Sequence, residues 1–263
     1  MNSGATSTGA FAPAPGSAPA LRQVLAQASM EARLMLRNGE QLLLAVVIPV
    51  IVLIGADKAA QHVNFKFSEP PVDVLTPGVL ALAVMSTAFT SLAIATGFER
   101  RYGVIKRLGA SPLTRGGLLA GKVGALLLVE VLQFVVIGGV GLVMGWDPAG
   151  GIAPWLCALL TLLVGTAAFA SLGLLVAGVL RAEATLAAAN LIYLLLMAGG
   201  AVVLPASEYG AADHVLRFLP SGALGEAMRT AFLHGHLAGG HLLVLLVWAI
   251  VGTFLTARTF RWE

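Results

Sequence analysis

Six stretches of this chain are apolar enough to lie in a lipid bilayer, and the rest of the molecule has to be arranged around them. They run over about 41–56, 79–97, 117–144, 152–180, 184–204 and 241–257. Crossing about 30 Å of hydrocarbon takes roughly 20 residues of helix, a form in which the backbone satisfies its own hydrogen bonds. The first stretch is short and carries Pro49, so it is expected to kink or to draw residues from its flanks. The third and fourth exceed the minimum, which predicts tilt or extension past the bilayer. At 58% hydrophobic and 11% charged residues, the chain is far from the roughly one-quarter charge of soluble domains. The predicted fold is an all-α, polytopic membrane protein with six transmembrane helices.

The remaining segments follow from the same pattern. Residues 1–20, MNSGATSTGAFAPAPGSAPA, lack both a basic n-region and an apolar h-region. They predict a disordered tail rather than a signal peptide. Over 21–38, Leu21, Val24, Leu25, Ala28, Ala32, Met35 and Leu36 recur at spacings of three and four, with Arg22, Arg33 and Arg37 mostly off that stripe. This predicts a helix lying in the membrane interface, broken at Asn38-Gly39 before the six-span domain of 39–263. Placing both termini in the cytoplasm of a cell-membrane protein puts twelve of the sixteen lysines and arginines on that side, as the positive-inside rule favours. The outer segment 205–240 is unusually apolar and is divided by Pro220-Ser221-Gly222, which fits two short re-entrant helices before the last span.

Charge is concentrated in one place. Glu99, Arg100, Arg101, Lys106 and Arg107 fall within nine positions between spans two and three. Tyr102, Val104, Ile105 and Leu108 interleave with them, and Ser111-Pro112 is suited to cap a restarted helix after Gly109. The residues alone leave two readings open: a positive-inside anchor, or a helix that docks onto a cytoplasmic protein.

Other candidates carry less. Gly116 to Lys122 has the G-x4-G-K spacing of a phosphate-binding loop, but Val123 stands where a magnesium-holding Ser or Thr is required, so no nucleotide site is expected. His234, His236 and His241 lack metal-ligand spacing and read as solvated loop residues. Cys157, the single cysteine, reads as a core residue. Glu130, with Gln133 nearby, is an acidic residue deep in a span, and reads as lining a substrate path or as a structural hydrogen-bonding group. Asn190 reads as interhelical glue, and Gly141 and Gly145 as close-packing positions. A net charge of +3 gives no reason to expect nucleic acid as a partner.

The stretch ERRYGVIKRLGASPLTRGGLLAGK resembles the signature loop of ABC type-2 transporter permeases. Glu99-Arg100, Lys106-Arg107-Leu108, Ser111-Pro112-Leu113 and Gly121-Lys122 occupy the family's motif positions. EARLMLRNGEQLLLAVVIPVIVLIGA resembles the family's interface helix and first span, and FLPSGALGEAMRTAFLHG its proline-containing outer segment, with Pro220 and Arg229. Leu219 stands where the family often has Asn. In appearance the chain is similar to the antibiotic and multidrug efflux permeases of actinobacteria, of the daunorubicin-resistance kind.

The resemblance implies a transporter subunit rather than an enzyme, and an exporter of amphiphilic drugs, antibiotics or lipid-like molecules. It implies a homodimer or heterodimer with a second permease chain and two copies of a separate ATPase, which would bind the ATP and magnesium. It also implies that Glu99, Arg100, Arg101, Lys106, Arg107, Leu108, Ser111 and Pro112 form a coupling helix seated on that ATPase. A proton-coupled secondary transporter is the rival; it would need several intramembrane ionisable groups, where Glu130 stands nearly alone.

Overall fold

In the computed structural model, residues 18–62, 67–108 and 114–260 are described, and every regular element among them is helical. The helices are α1 (Ala20–Arg37), α2 (Gly39–His62), α3 (Pro71–Met85), α4 (Leu92–Arg101), α5 (Val104–Leu108), α6 (Arg115–Val143), α7 (Ala153–Val179), α8 (Ala182–Gly199), α9 (Asp213–Leu216), α10 (Pro220–His234) and α11 (Gly239–Thr259). A π-helical segment, Ser86–Ser91, joins α3 to α4, and a 3-10 turn, Ala206–Ala212, precedes α9. Six helical units are long and apolar enough to span a membrane: 45–62, 71–101, 116–143, 153–179, 182–199 and 239–259.

Several boundaries differ from the hydropathy pattern. The second span begins at Pro71 rather than 79, because Pro70-Pro71 starts a helix that absorbs Asp73, Thr76 and Pro77. The first borrows from its flanks and runs on to His62 with Pro49 inside it. Thr114 caps α6, its side chain accepting from the Gly117 N–H at 3.0 Å, so this helix starts three residues after the Ser111-Pro112 pair. Ser111 and Pro112 lie outside the described residues, as does most of the tail predicted over 1–20.

Every residue of α3 from Val72 onward is buried, and α2, α6, α7 and α10 surround it. Around this centre α7 packs on α11, where Thr256 donates to the Ser171 carbonyl at 3.0 Å, and α1 lies along the first half of α6. Inside lipid there is little hydrophobic drive between helices, so close packing and interhelical hydrogen bonds do this work. The G-x3-G pair shows it within one chain: Gly141 faces Thr76 and Trp146, and Gly145 takes φ +98° in the turn after α6.

The two ends of the bundle differ in character. One end, here the basic end, gathers α1, α5, the end of α4 and the start of α6. At the other end α10 is tucked among α3, α7 and α11, and Phe232 meets Trp146 and Trp155 with ring centroids 4.9 and 5.3 Å apart. The segment predicted as two re-entrant helices is thus a 3-10 turn, the four-residue α9 and one buried 15-residue helix.

Candidate functional site

The charged loop starts where α4 ends. Gly103, at φ +68°, makes a turn that a side chain would strain, and the five residues of α5 follow. Ile105 is buried and seats this short helix, while Lys106 and Arg107, the next two residues of the same helix, are exposed. Neither has an ion-pair partner among the described residues. Leu108 is half-buried.

The charges just before Gly103 face the bundle. The Lys122 ammonium donates to Glu99 Oε1 at 2.6 Å and to Glu31 Oε1 at 2.9 Å. One lysine of α6 therefore holds the end of α4 and the middle of α1 together. It is 5% exposed, and breaking such a buried pair from one side costs about 3–5 kcal/mol. Gln27 extends the group by donating to Glu31 at 2.8 Å. Gly121 lets α1 come this close, since a Cβ there would lie 2.6 Å from Gln27 Cγ.

Arg100 turns the other way. Its Nη1 donates to the carbonyls of Ala177 and Leu180 at the end of α7, with the guanidinium 5.7 Å from the Phe260 ring centroid. A cation suits the partial negative charge of that helix terminus. Arg101 pairs with Glu183 at the start of α8. The end of α4 is thus tied to α1, α6, α7 and α8, with Lys106 and Arg107 left facing outward. The G-x4-G-K run lies within this arrangement as the first turns of α6, not as a loop.

Glu130 and Gln133 are both fully buried. Thr166 of α7 donates to Glu130 Oε2 at 2.7 Å. Thr87, in the π segment, donates to Gln133 Oε1 at 3.0 Å, and Gln133 Nε2 donates to the Ala45 carbonyl of α2 at 2.8 Å. The two residues stitch α2, α6, α7 and the π segment together, and neither is among the residues lining the cavities described next.

A cavity of about 450 Å³ opens beside α2, the π segment and α8, lined by Ser86, Thr90, Ser91, Asn190 and Tyr193 with apolar neighbours. The wider π turn coincides with this cluster of hydroxyls, as such turns often do at functional positions. Asn190 is exposed on α8, and its side chain makes no hydrogen bond among the described residues, so it does not join two helices within this chain. A second cavity of about 190 Å³ reaches Glu31, Glu99 and Lys122. A third, of about 380 Å³, is an apolar groove between α6 and α7.

At the opposite end, Pro220 starts α10 and is buried. Arg229 is 3% exposed and fans out over the chain leaving α8. Its Nη1 donates to the Val202 and Val203 carbonyls at 3.1 Å, and its Nη2 to Ala201 at 3.0 Å and Leu204 at 3.4 Å. Glu226 accepts from Arg229 at 3.1 Å and from the Ala206 N–H at 2.9 Å. Burial raises the Glu226 carboxyl, but the charge of Arg229 and these hydrogen bonds outweigh it and hold the group below its ordinary value. His234 and His236 stack with centroids 5.7 Å apart.

Three features escaped the sequence: the sharing of Lys122, the cavity at Asn190 and Tyr193, and the carbonyls that Arg229 holds. A signal for the first was present. Gln27 and Glu31 lie four residues apart, among the small residues of the α1 stripe rather than with its arginines. Residues 19–258 match the model of a protein family described as ABC-2 family transporter protein, and a search of curated proteins finds no match to the chain.

Proposed function

Since the chain belongs to the ABC-2 family of transporter proteins, and is by that membership a membrane subunit of a transporter that works with an ATPase, we propose that it is the permease of an ATP-driven exporter. Its cargo is an amphiphilic drug, antibiotic or lipid-like molecule. Two copies of a separate ATPase bind the ATP and magnesium, and a second permease chain completes the assembly. Both termini and the loop at 99–115 lie in the cytoplasm of a cell-membrane protein.

The observation that carries this reading is the way the loop is tied. A force applied at Lys106 and Arg107 enters a segment joined by Lys122 and Glu99 to α1 and α6, and by Arg100 and Arg101 to α7 and α8. The two exposed cations meet acidic groups of the ATPase, and the ties hand its motion to the helices. The cavity at Ser86, Thr90, Asn190 and Tyr193 is the substrate path, because the Thr90 hydroxyl and the Asn190 amide, without partners among the described residues at mid-span, need a polar occupant. Glu130 and Gln133 act behind that path by holding its walls.

Crosslinking tests the reading. In a Cys157→Ala background, single cysteines at 99–108 are crosslinked to the ATPase encoded beside the gene. Crosslinks that follow helical periodicity and change with ATP are expected. Transport that persists after the ATPase is removed would instead favour a proton-coupled secondary carrier.

A further inference from the structure

Helix α1 meets the bundle with small and polar residues. Gln27, Ala28 and Ala32 are its buried positions, Gln27 lying against Gly121 of α6 and Ala28 against Gly124. Besides α6, only α2 packs closely on this helix among the described residues. Part of its apolar stripe is therefore left outside: Leu21 is 70% exposed, Leu25 58% and Leu36 44%.

Beside these leucines, on the surface away from α6, runs a row of arginines. Arg22, Arg33 and Arg37 stand eleven and four residues apart, about three turns and one turn of helix, so they share a face. All three are exposed, and none has an ion-pair or hydrogen-bond partner among the described residues. The one acid of α1, Glu31, lies on the other side and is committed to Lys122. Arg33 and Arg37 are at a spacing where like charges repel. An anion between them removes that repulsion, and guanidinium groups take phosphate oxygens two at a time.

The chain on either side sets the level of this row. Gly39, two residues after Arg37, begins the helix that becomes the first span. With 29 residues, α6 is about 44 Å long, roughly 14 Å more than the hydrocarbon needs. The charges of Arg115 and Lys122 put that excess at the basic end, so the part of α6 that α1 covers lies at headgroup depth. Because α1 sits on the side of a spanning helix, its opposite face looks outward along the membrane surface, into the lipid around the bundle.

We propose that α1 binds anionic phospholipid, the phosphates lying along Arg22, Arg33 and Arg37 while Leu21, Leu25 and Leu36 enter the acyl boundary beside them. Zwitterionic lipid sets its own ammonium against each phosphate and offers this row no net charge. Glu31 of the same helix holds Lys122 and, through it, Glu99, so bound lipid steadies the corner from which the charged loop projects. This lipid surface is independent of the cargo and of the ATPase.

The test uses the full chain in nanodiscs without the ATPase. In a Cys157→Ala background, Leu25→Cys carries a bimane fluorophore at the edge of the arginine row. Lipid brominated near the headgroup end of its acyl chains quenches that fluorophore on contact. At equal fractions in a phosphatidylcholine bilayer, brominated phosphatidylglycerol is expected to quench about threefold more than brominated phosphatidylcholine. Arg22→Gln, Arg33→Gln and Arg37→Gln together should bring that ratio close to one. Salt at about 1 M, which screens charge beyond about 3 Å, should lower it by about half with the arginines in place. Equal quenching by the two lipids would mean that the helix lies in the bilayer without choosing a headgroup. Quenching by neither would mean that this face is covered by protein or turned to water. Either result overturns the proposal. So does a ratio that survives the triple substitution, or that survives salt should the triple variant not fold, since the selectivity would then lie in other groups.

Discussion

The Lys122 ammonium lies 2.6 Å from Glu99 Oε1, inside the bundle and at the point where the second span gives way to the charged loop. Because the same ammonium reaches Glu31 on α1, removing the lysine would leave two carboxylates facing each other without a counter-charge.

Lys122→Met is therefore expected to destabilise the protein by about 3–5 kcal/mol, as for other buried ion pairs broken from one side. Removing all three charges together, with Glu31→Gln and Glu99→Gln added, should cost much less, since no unpaired charge remains. Thermal unfolding in detergent, followed by tryptophan fluorescence, compares the two. A triple variant as unstable as the single one would show that packing, not charge pairing, holds this corner.

Gly121→Leu should push α1 off α6, because the added Cβ alone would sit 2.6 Å from Gln27 Cγ. Overpacking of this kind costs about 1–3 kcal/mol. Disulfide trapping between cysteines placed on the facing surfaces of α1 and α6 should fall, while Gly116→Leu, which meets open space, should leave it unchanged.

Arg229→Lys keeps the charge but loses the planar fork that reaches four successive carbonyls. Hydrogen exchange across 201–206 should accelerate at least tenfold, with exchange in α6 unaffected. Uniform acceleration along the chain would instead mean global destabilisation.

The Glu226 carboxyl is held below its ordinary value, which sets the sign of a pH effect. Its contribution is fully present above the unfolded-state value of about 4.3 and is lost as pH falls through the lower folded-state value. Exchange at Ala206, whose N–H it accepts, should therefore rise on acidification below about pH 4 relative to other buried amides. Glu226→Gln should remove that dependence.

Lys106→Glu with Arg107→Glu should leave thermal stability within about 0.5 kcal/mol, since both residues are exposed and without ion-pair partners among the described residues. Co-purification of the ATPase should drop several-fold if these two residues face it. Unchanged co-purification would remove them from the contact.

Which parts of this were legible in one dimension follows from the solvent. Hydrocarbon penalises each charge and each unpaired amide wherever it occurs, so the number of spans can be summed along the chain, and residue spacing marks the helix that follows the tail. The loop motif was legible for a related reason, as charge crowded into nine residues stands out against an apolar background. Helix ends were less so. Asp73, Thr76 and Pro77 look unfavourable locally, yet α3 runs through them because Asp73 accepts the Asp147 N–H at 2.8 Å and Thr76 bonds back to Val72 at 2.7 Å.

The roles of individual polar residues belonged to the tertiary structure. Lys122 finds its partners 23 and 91 positions away, and Arg229 its carbonyls 25 to 28 positions back. Glu130 and Asn190 look alike in sequence, each a polar residue in a greasy span. One is sealed against Thr166 and the other left free beside a cavity. A hydrogen bond reaches only about 3 Å, so it depends on which faces of two helices meet, and hydropathy carries no record of that.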